Sequence, residues 1–291
     1  MKAAREGSHV NEGRQRRQPC EYTAAREGSH ANAGRQRRQP CEYTAAQAED
    51  MSLRDREGKG IMEKYGLSRT HTDELYWLGR YTERVYTSLD LFASVFDEMI
   101  DGDPAAYKAM LRNLEITDIY TDKRDFNRRY CFDKSNPDSI RYSLERGFDN
   151  AVILREVIGS ASLSYIQVAI YEMDTAEKSE SPMIDLQGVQ DRIVAFWGMT
   201  DDVILDERVR NLLKVGKIVE RIDLYSRMNK DMWRIVREVE RLQGRIDKSE
   251  INYDGKRLQR LYDLSHGKSE PGSLPSFEAY QMIVENIESL I

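Results

Sequence analysis

From about Leu67 onward, apolar residues recur at helical spacing over most of the chain. Leu78, Tyr81, Val85, Leu89, Phe92, Phe96 and Met99 are each three or four residues apart. That spacing keeps them on one stripe and predicts a helix of about nine turns starting near Ser68. Asp103-Pro104 joins a capping side chain to a proline suited to the first helical turn, and predicts a second helix there. Residues 115–135 are mixed, with Tyr120, Phe126, Tyr130 and Phe132 as anchors for short helices and a loop. Asn136-Pro137 repeats the cap signal and opens a helix through Ile140, Leu144, Phe148, Ala151 and Leu154-Arg155. A helix from 160 to about 176 follows, then a polar break at 177–182, then a helix through Ile193 and Trp197.

A second long helix is predicted from 207 to about 245. Leu212, Val215, Val219 and Ile222 occupy one face of it, and Tyr225, Met228, Met232, Ile235, Val239 and Leu242 another. It should therefore be buried on more than one side. Two shorter helices, near 250–264 and 274–290, are joined by a loop at 267–275 with the Gly, Ser and Pro such loops use. No segment reads as a strand. The expected fold is all-α, a helical bundle with two long helices and several shorter ones.

Composition narrows this picture. Of 291 residues 40% are hydrophobic, enough for a core, while 32% charged residues suit helices with solvated faces. No run approaches the roughly 18 apolar residues of a membrane span, and no signal-peptide pattern is seen, so a cytoplasmic protein is expected. Residues 3–23 and 24–44 are near-identical copies, differing at Val10/Ala31 and Glu12/Ala33. With almost no large aliphatic residues, the copies cannot offset their ordering entropy. Residues 1–62 are expected to be a disordered tandem-repeat extension produced by a recent DNA duplication, with Met51 or Met62 as the natural first residue. Residues 63–291 are expected to form a single domain.

The three cysteines are Cys20, Cys41 and Cys131, and the first two belong to the repeat, so no structural disulfide is expected. His9, Cys20, His30 and Cys41 lack the close pairs of a zinc site. The net charge of -6 is uneven. Residues 1–46 hold nine Lys+Arg and five Asp+Glu, a net of +4, which leaves -10 for the remainder. An acidic body lacks the basic footprint that sequence-independent nucleic-acid binding needs.

Both long helices carry one short pattern. WLGRYTER spans 77–84 and VGKIVER spans 215–221, each reading Gly, a base, two others, then Glu-Arg. Adjacent helix residues point about 100° apart, so Glu83 cannot face Arg84, nor Glu220 face Arg221. Each must find a partner elsewhere. Arg221 projects onto the stripe of Tyr225, Met228 and Met232, where a lone guanidinium would be costly and a carboxylate is wanted. Gly79 and Gly216 each cost roughly 1 kcal/mol against Ala, so a close backbone approach is expected at both. An approximate two-fold relation would bring Glu83 to Arg221 and Glu220 to Arg84.

With LSRTHTDELYWLGRYTERV, NPDSIRYSLERGFDNAVILRE and LLKVGKIVERIDLYSRM in view, the chain resembles the bacterial alpha-E family. That is an all-helical domain named for its repeated E-R signature, and the resemblance spans residues 67–291. It implies a further E-N pair and an Arg in the site, matched here by Asp149, Asn150 and Arg155, with Asp in place of Glu. It also implies an association with circularly permuted ATP-grasp ligases and transglutaminase-like proteins, hence with peptide synthesis or tagging.

The candidate site is thus Arg80, Glu83, Arg84, Asp149, Asn150, Arg155, Lys217, Glu220 and Arg221, acting as a buried ion-pair network or as a pocket for a small acidic or peptide ligand. A non-catalytic partner or substrate-binding subunit is expected. The alternative is an enzyme acting on amide or peptide bonds through the charged pocket. No metal or cofactor is expected: outside the repeat only His71 and His266 occur, and no phosphate-cradling glycine loop is present. Trp77, Trp197 and Trp233 read as core anchors.

Overall fold

The computed structural model describes residues 68–267 and 277–291, so the tandem copies and most of the 267–275 loop lie outside the described residues. Among the described residues there are eleven α-helices and no strand. The first, α1 (Arg69–Asp101), is capped by Ser68, whose Oγ accepts from the His71 amide at 3.2 Å. Leu78, Val85, Leu89, Phe92 and Met99 of the predicted stripe are buried along it.

Two cap signals prove to sit one turn early. Asp103 Oδ1 accepts from the Ala105 amide at 2.8 Å, but this closes only a turn, and α2 (Tyr107–Asn113) starts later. Asn136 likewise belongs to a turn, its Nδ2 donating to the Tyr120 hydroxyl at 3.1 Å. The cap of the following helix is Ser139, which accepts from the Tyr142 amide at 2.9 Å. An Asx-Pro pair satisfies a turn as readily as a helix start, which explains both shifts.

Between these lies α3 (Lys123–Phe132), capped by Asp122. Its Phe126 and Tyr130 pack with Tyr107, Tyr120 and Phe92 in an aromatic cluster, with Tyr107 and Phe126 stacked at 4.5 Å between ring centroids. Next come α4 (Ile140–Ile153), the single turn α5 (Arg155–Ile158), α6 (Ser160–Glu177) and α7 (Pro182–Val203). Helices α6 and α7 pack along each other, while α4 lies against α1. Buried Arg141 ties α4 to α6, its Nη1 2.7 Å from Asp174 Oδ1.

The second long helix is in fact two, α8 (Glu207–Arg227) and α9 (Met232–Ile246). Asn229 sits at φ +48°, the Asn229 amide donates to Ser226 O at 3.0 Å, and the Lys230 amide donates to Tyr225 O at 2.9 Å. This pair of bonds closes a helix C-terminus around a left-handed residue, a place Asn takes with little strain. The predicted helix therefore changes direction after Arg227, and of its second apolar face Tyr225 still lies on α8 while Met232, Ile235, Val239 and Leu242 lie on α9; α8 is itself buried on more than one side, as expected. After a short 3-10 turn come α10 (Gly255–Ser265) and α11 (Phe277–Glu288). Helix α8 is central, contacting α1, α9 and α11, and most of its residues are buried.

Candidate functional site

The two motif copies meet where α1 crosses α8. A Cβ on Gly79 would stand 2.2 Å from the Leu213 carbonyl oxygen, and one on Gly216 would stand 2.1 Å from that of Tyr76. Each glycine thus admits the other helix's backbone where any side chain would collide. Glu83 and Glu220 lie four residues beyond these glycines, on the same faces, and so point at the opposite helix. Arg221 Nε donates to Glu83 Oε1 at 2.5 Å, and Arg84 Nε to Glu220 Oε1 at 2.5 Å. This is the reciprocal arrangement that a two-fold relation between the copies requires.

The symmetry is only approximate, because the copies differ at their first base. Arg80 Nε reaches Glu220 Oε2 at 2.6 Å, whereas its counterpart Lys217 stays 4.0 Å from Glu83 Oε2. Glu83 Oε2 is buried and has no hydrogen-bond partner among the described residues; Oε1 also accepts from the Thr87 hydroxyl at 3.0 Å. An indole lies beside each base: Trp77 is 5.1 Å from the Arg80 guanidinium, and Trp197, reaching in from α7, is 4.0 Å from Lys217 Nζ. Of the three expected core anchors, Trp197 is 8% exposed, but Trp77 is 39% and Trp233 57% exposed. The latter two rest against arginines at the surface, with Trp233 beside Arg234 and Arg237. An amphipathic indole needs only one covered face, which apolar periodicity does not reveal.

Electrostatics separate the two halves. Burial pushes the Glu220 carboxyl up, yet the Arg84 and Arg80 charges and hydrogen bonds more than reverse this and hold it below the usual carboxylate range. Burial pushes the Lys217 ammonium down to about 8; Glu83 only partly offsets this, and Arg221 and Arg241 add to it. The folded chain thus releases this proton from about pH 8, while an unfolded lysine keeps it to about 10.4. Fewer protons bound in the folded state make stability rise with pH across that window. Lys217→Met should raise stability at neutral pH by roughly 1–3 kcal/mol and remove this alkaline gain. Urea titrations at pH 7 and pH 10 check it, and a less stable variant at both would refute it.

The half built on Glu220 opens to solvent as a cleft. Arg80, Arg84, Glu220, Asp223 and Arg227 line a cleft of about 320 Å³, with Ser88, Tyr130, Asp138, Glu115 and Glu288 completing its polar wall. Asp223 bridges Arg80 at 3.5 Å and Arg227 at 2.8 Å. Burial, together with neighbouring Glu220, pushes its carboxyl above the usual value despite these arginines. Three guanidiniums therefore face five carboxylates across this cleft. Arg84 is its most accessible motif residue, with a side chain 33% exposed. Nε and Nη2 both bond Glu220, while no bond engages Nη1 among the described residues.

Asp149, Asn150 and Arg155, placed in the site by resemblance, stand apart from the crossing pairs. Exposed Asp149 pairs with Arg146 at 2.6 Å. Asn150 Nδ2 donates to Glu74 O at 3.4 Å, and exposed Arg155 donates to Ser160 Oγ at 3.0 Å. These bonds brace α4 and its neighbours. Sequence reasoning missed Asp223, Arg227 and Glu238. The first two continue the Glu220 face at helical spacing, a polar stripe that was legible. Glu238 is buried on α9, where it receives Arg237, Arg241 and, at 3.6 Å, Arg221; only the helix break brings it there.

Among the described residues no helix is long and apolar enough to cross a membrane, and no group of His, Cys, Asp or Glu is arranged to hold a metal ion. No curated protein and no solved structure matches the chain. A family model described as a predicted alpha-helical domain with a conserved ER motif, Alpha-E, does match over residues 67–259, short of the extent to 291 expected from resemblance. The two E-R dipeptides, Glu83-Arg84 and Glu220-Arg221, lie within that match, and the chain belongs to the Alpha-E family.

Proposed function

We propose that this domain is a non-catalytic binding subunit whose cleft beside the first motif copy holds a charged terminal residue of a peptide. The observation that carries this reading is the free edge of the Arg84 guanidinium, fixed by Glu220 and turned to a cleft where carboxylates outnumber guanidiniums. A fork held from behind is pre-organised for a carboxylate. The surplus of acid disfavours a purely acidic ligand and favours one that also carries an ammonium. A volume near 320 Å³ suits one amino-acid residue, at the small end of ligand pockets. The family resemblance supplies the expected setting: presentation of such a ligand to an ATP-grasp-type ligase or a transglutaminase-like partner.

Calorimetric titration with free lysine, free glutamate, succinate and putrescine tests it. One of the two amino acids should bind saturably and more tightly than either single-sign control. Arg84→Met should weaken that binding ten- to hundredfold, for about 1.5–3 kcal/mol of lost charge-assisted bonding. Glu220 keeps Arg80 in this variant, so the fold should persist, which circular dichroism verifies. Succinate binding as well as the amino acids, or an Arg84→Met variant that binds unchanged, would sink the reading.

One observation favours an amide-forming or amide-cleaving activity instead, the raised carboxyl of Asp223 on the cleft wall. Turnover of a model dipeptide by purified protein, lost in Asp223→Asn, would make that the better account.

A further inference from the structure

A second cleft, of about 220 Å³, adjoins the first, and Glu115, Arg227 and Glu288 line both. Arg227 forms the partition between them. Its Nε donates to Asp223 at 2.8 Å, its Nη1 to Glu115 at 2.8 Å, and its Nη2 to Glu288 at the end of α11. Asp223 is buried, whereas Glu115 and Glu288 are largely exposed. The inner bond anchors the guanidinium, and the two outer carboxylates can exchange it for water or ligand at little cost. Glu115 is also held at φ +59°, a left-handed conformation that a glutamate adopts only under constraint.

The chemistry beyond this partition is different. Phe277, the first residue of α11, presents a ring 63% exposed, with Tyr280 and Val284 on the same helix. Ser226 lines the cleft with a buried hydroxyl that has no hydrogen-bond partner among the described residues. An unpaired buried hydroxyl costs free energy unless something completes it, and a peptide N–H or C=O would do so.

We propose that the two clefts are one groove for an extended peptide, with its charged terminal residue beside Arg84 and the adjoining residue, of aromatic or large apolar type, against Phe277. Arg227 lies across the backbone between them, and Ser226 bonds that backbone. This rests on the first cleft being a site for a charged peptide end, and it adds the neighbouring residue's class and the direction the chain takes.

The test uses two probes, glutamyl-phenylalanine amide and N-acetyl-phenylalanyl-lysine, compared with free glutamate and free lysine. At least one dipeptide should bind tenfold or more tighter than its parent amino acid. Phe277→Ala and Ser226→Ala should remove that gain and leave binding of the free amino acid unchanged. If neither dipeptide binds better than its parent, or if the gain survives Phe277→Ala, the groove is overturned and the first cleft is left standing. Free amino acids that fail to bind overturn the first-cleft reading, and the groove with it.

Discussion

Gly79→Ala and Gly216→Ala are each expected to cost at least about 3 kcal/mol or to prevent folding, although alanine is the better helix former by roughly 1 kcal/mol. The added methyl would meet backbone carbonyl oxygen at 2.2 Å from Leu213 or 2.1 Å from Tyr76. Backbone in a buried helix cannot swing aside as a side-chain end can, so α1 and α8 must separate. That separation would pull apart the ion pairs one turn further along. Gly198 and Gly244 supply the control, since a Cβ at either meets nothing within 4 Å. Gly198→Ala and Gly244→Ala should be neutral or stabilising by up to about 1 kcal/mol. Thermal melting of the four variants decides the matter. A Gly79→Ala protein that melts at or above the parent temperature would show that the crossing is looser than this geometry requires.

That crossing was the most legible part of the site. A glycine four residues before a glutamate, in two long helices, costs propensity twice and calls for a steric reason. The reciprocal pairing then followed from the rule that helix neighbours cannot face each other. What stayed hidden depends on chain direction. The apolar faces before and after Ile222 are both visible and read as one continuous helix, whereas the break falls at Asn229, a left-handed position with no glycine to mark it. Without that break, Glu238 could not be brought against Arg221. The cleft was hidden for another reason. Glu115, Asp138 and Glu288 come from three separate segments, and no spacing along the chain relates them to Arg84. Asp149, Asn150 and Arg155 were assigned by resemblance, with no physical demand for a partner at the crossing. Their bonds lie with Arg146, Glu74 and Ser160.

Glu220→Gln should be the most damaging change among the motif carboxylates, at about 3–5 kcal/mol. Two guanidiniums, Arg80 at 2.6 Å and Arg84 at 2.5 Å, depend on this fully buried group. An amide would leave Arg84 without countercharge and Arg80 with Asp223 alone, at 3.5 Å. Glu83→Gln should cost less, because Arg221 keeps Glu238 at 3.6 Å. Double-mutant cycles separate coupling from packing. Glu83→Gln with Arg221→Met should cost less than the sum of the singles by about 1–3 kcal/mol, since each single strands the charge that the other removes. Glu220→Gln with Arg84→Met should recover a smaller fraction, because Arg80 still loses its closest carboxylate and keeps only Asp223. Acid provides an independent check. Glu220 is held below the usual carboxylate range, so its contribution is complete above that range and is lost as pH falls through the folded value. The parent should therefore lose stability on the acid side more steeply than Glu220→Gln does. Urea titrations at neutral pH and below the carboxylate range measure both effects. Additive double mutants, or identical acid limbs, would mean that these arginines are satisfied by solvent and not by the opposite helix.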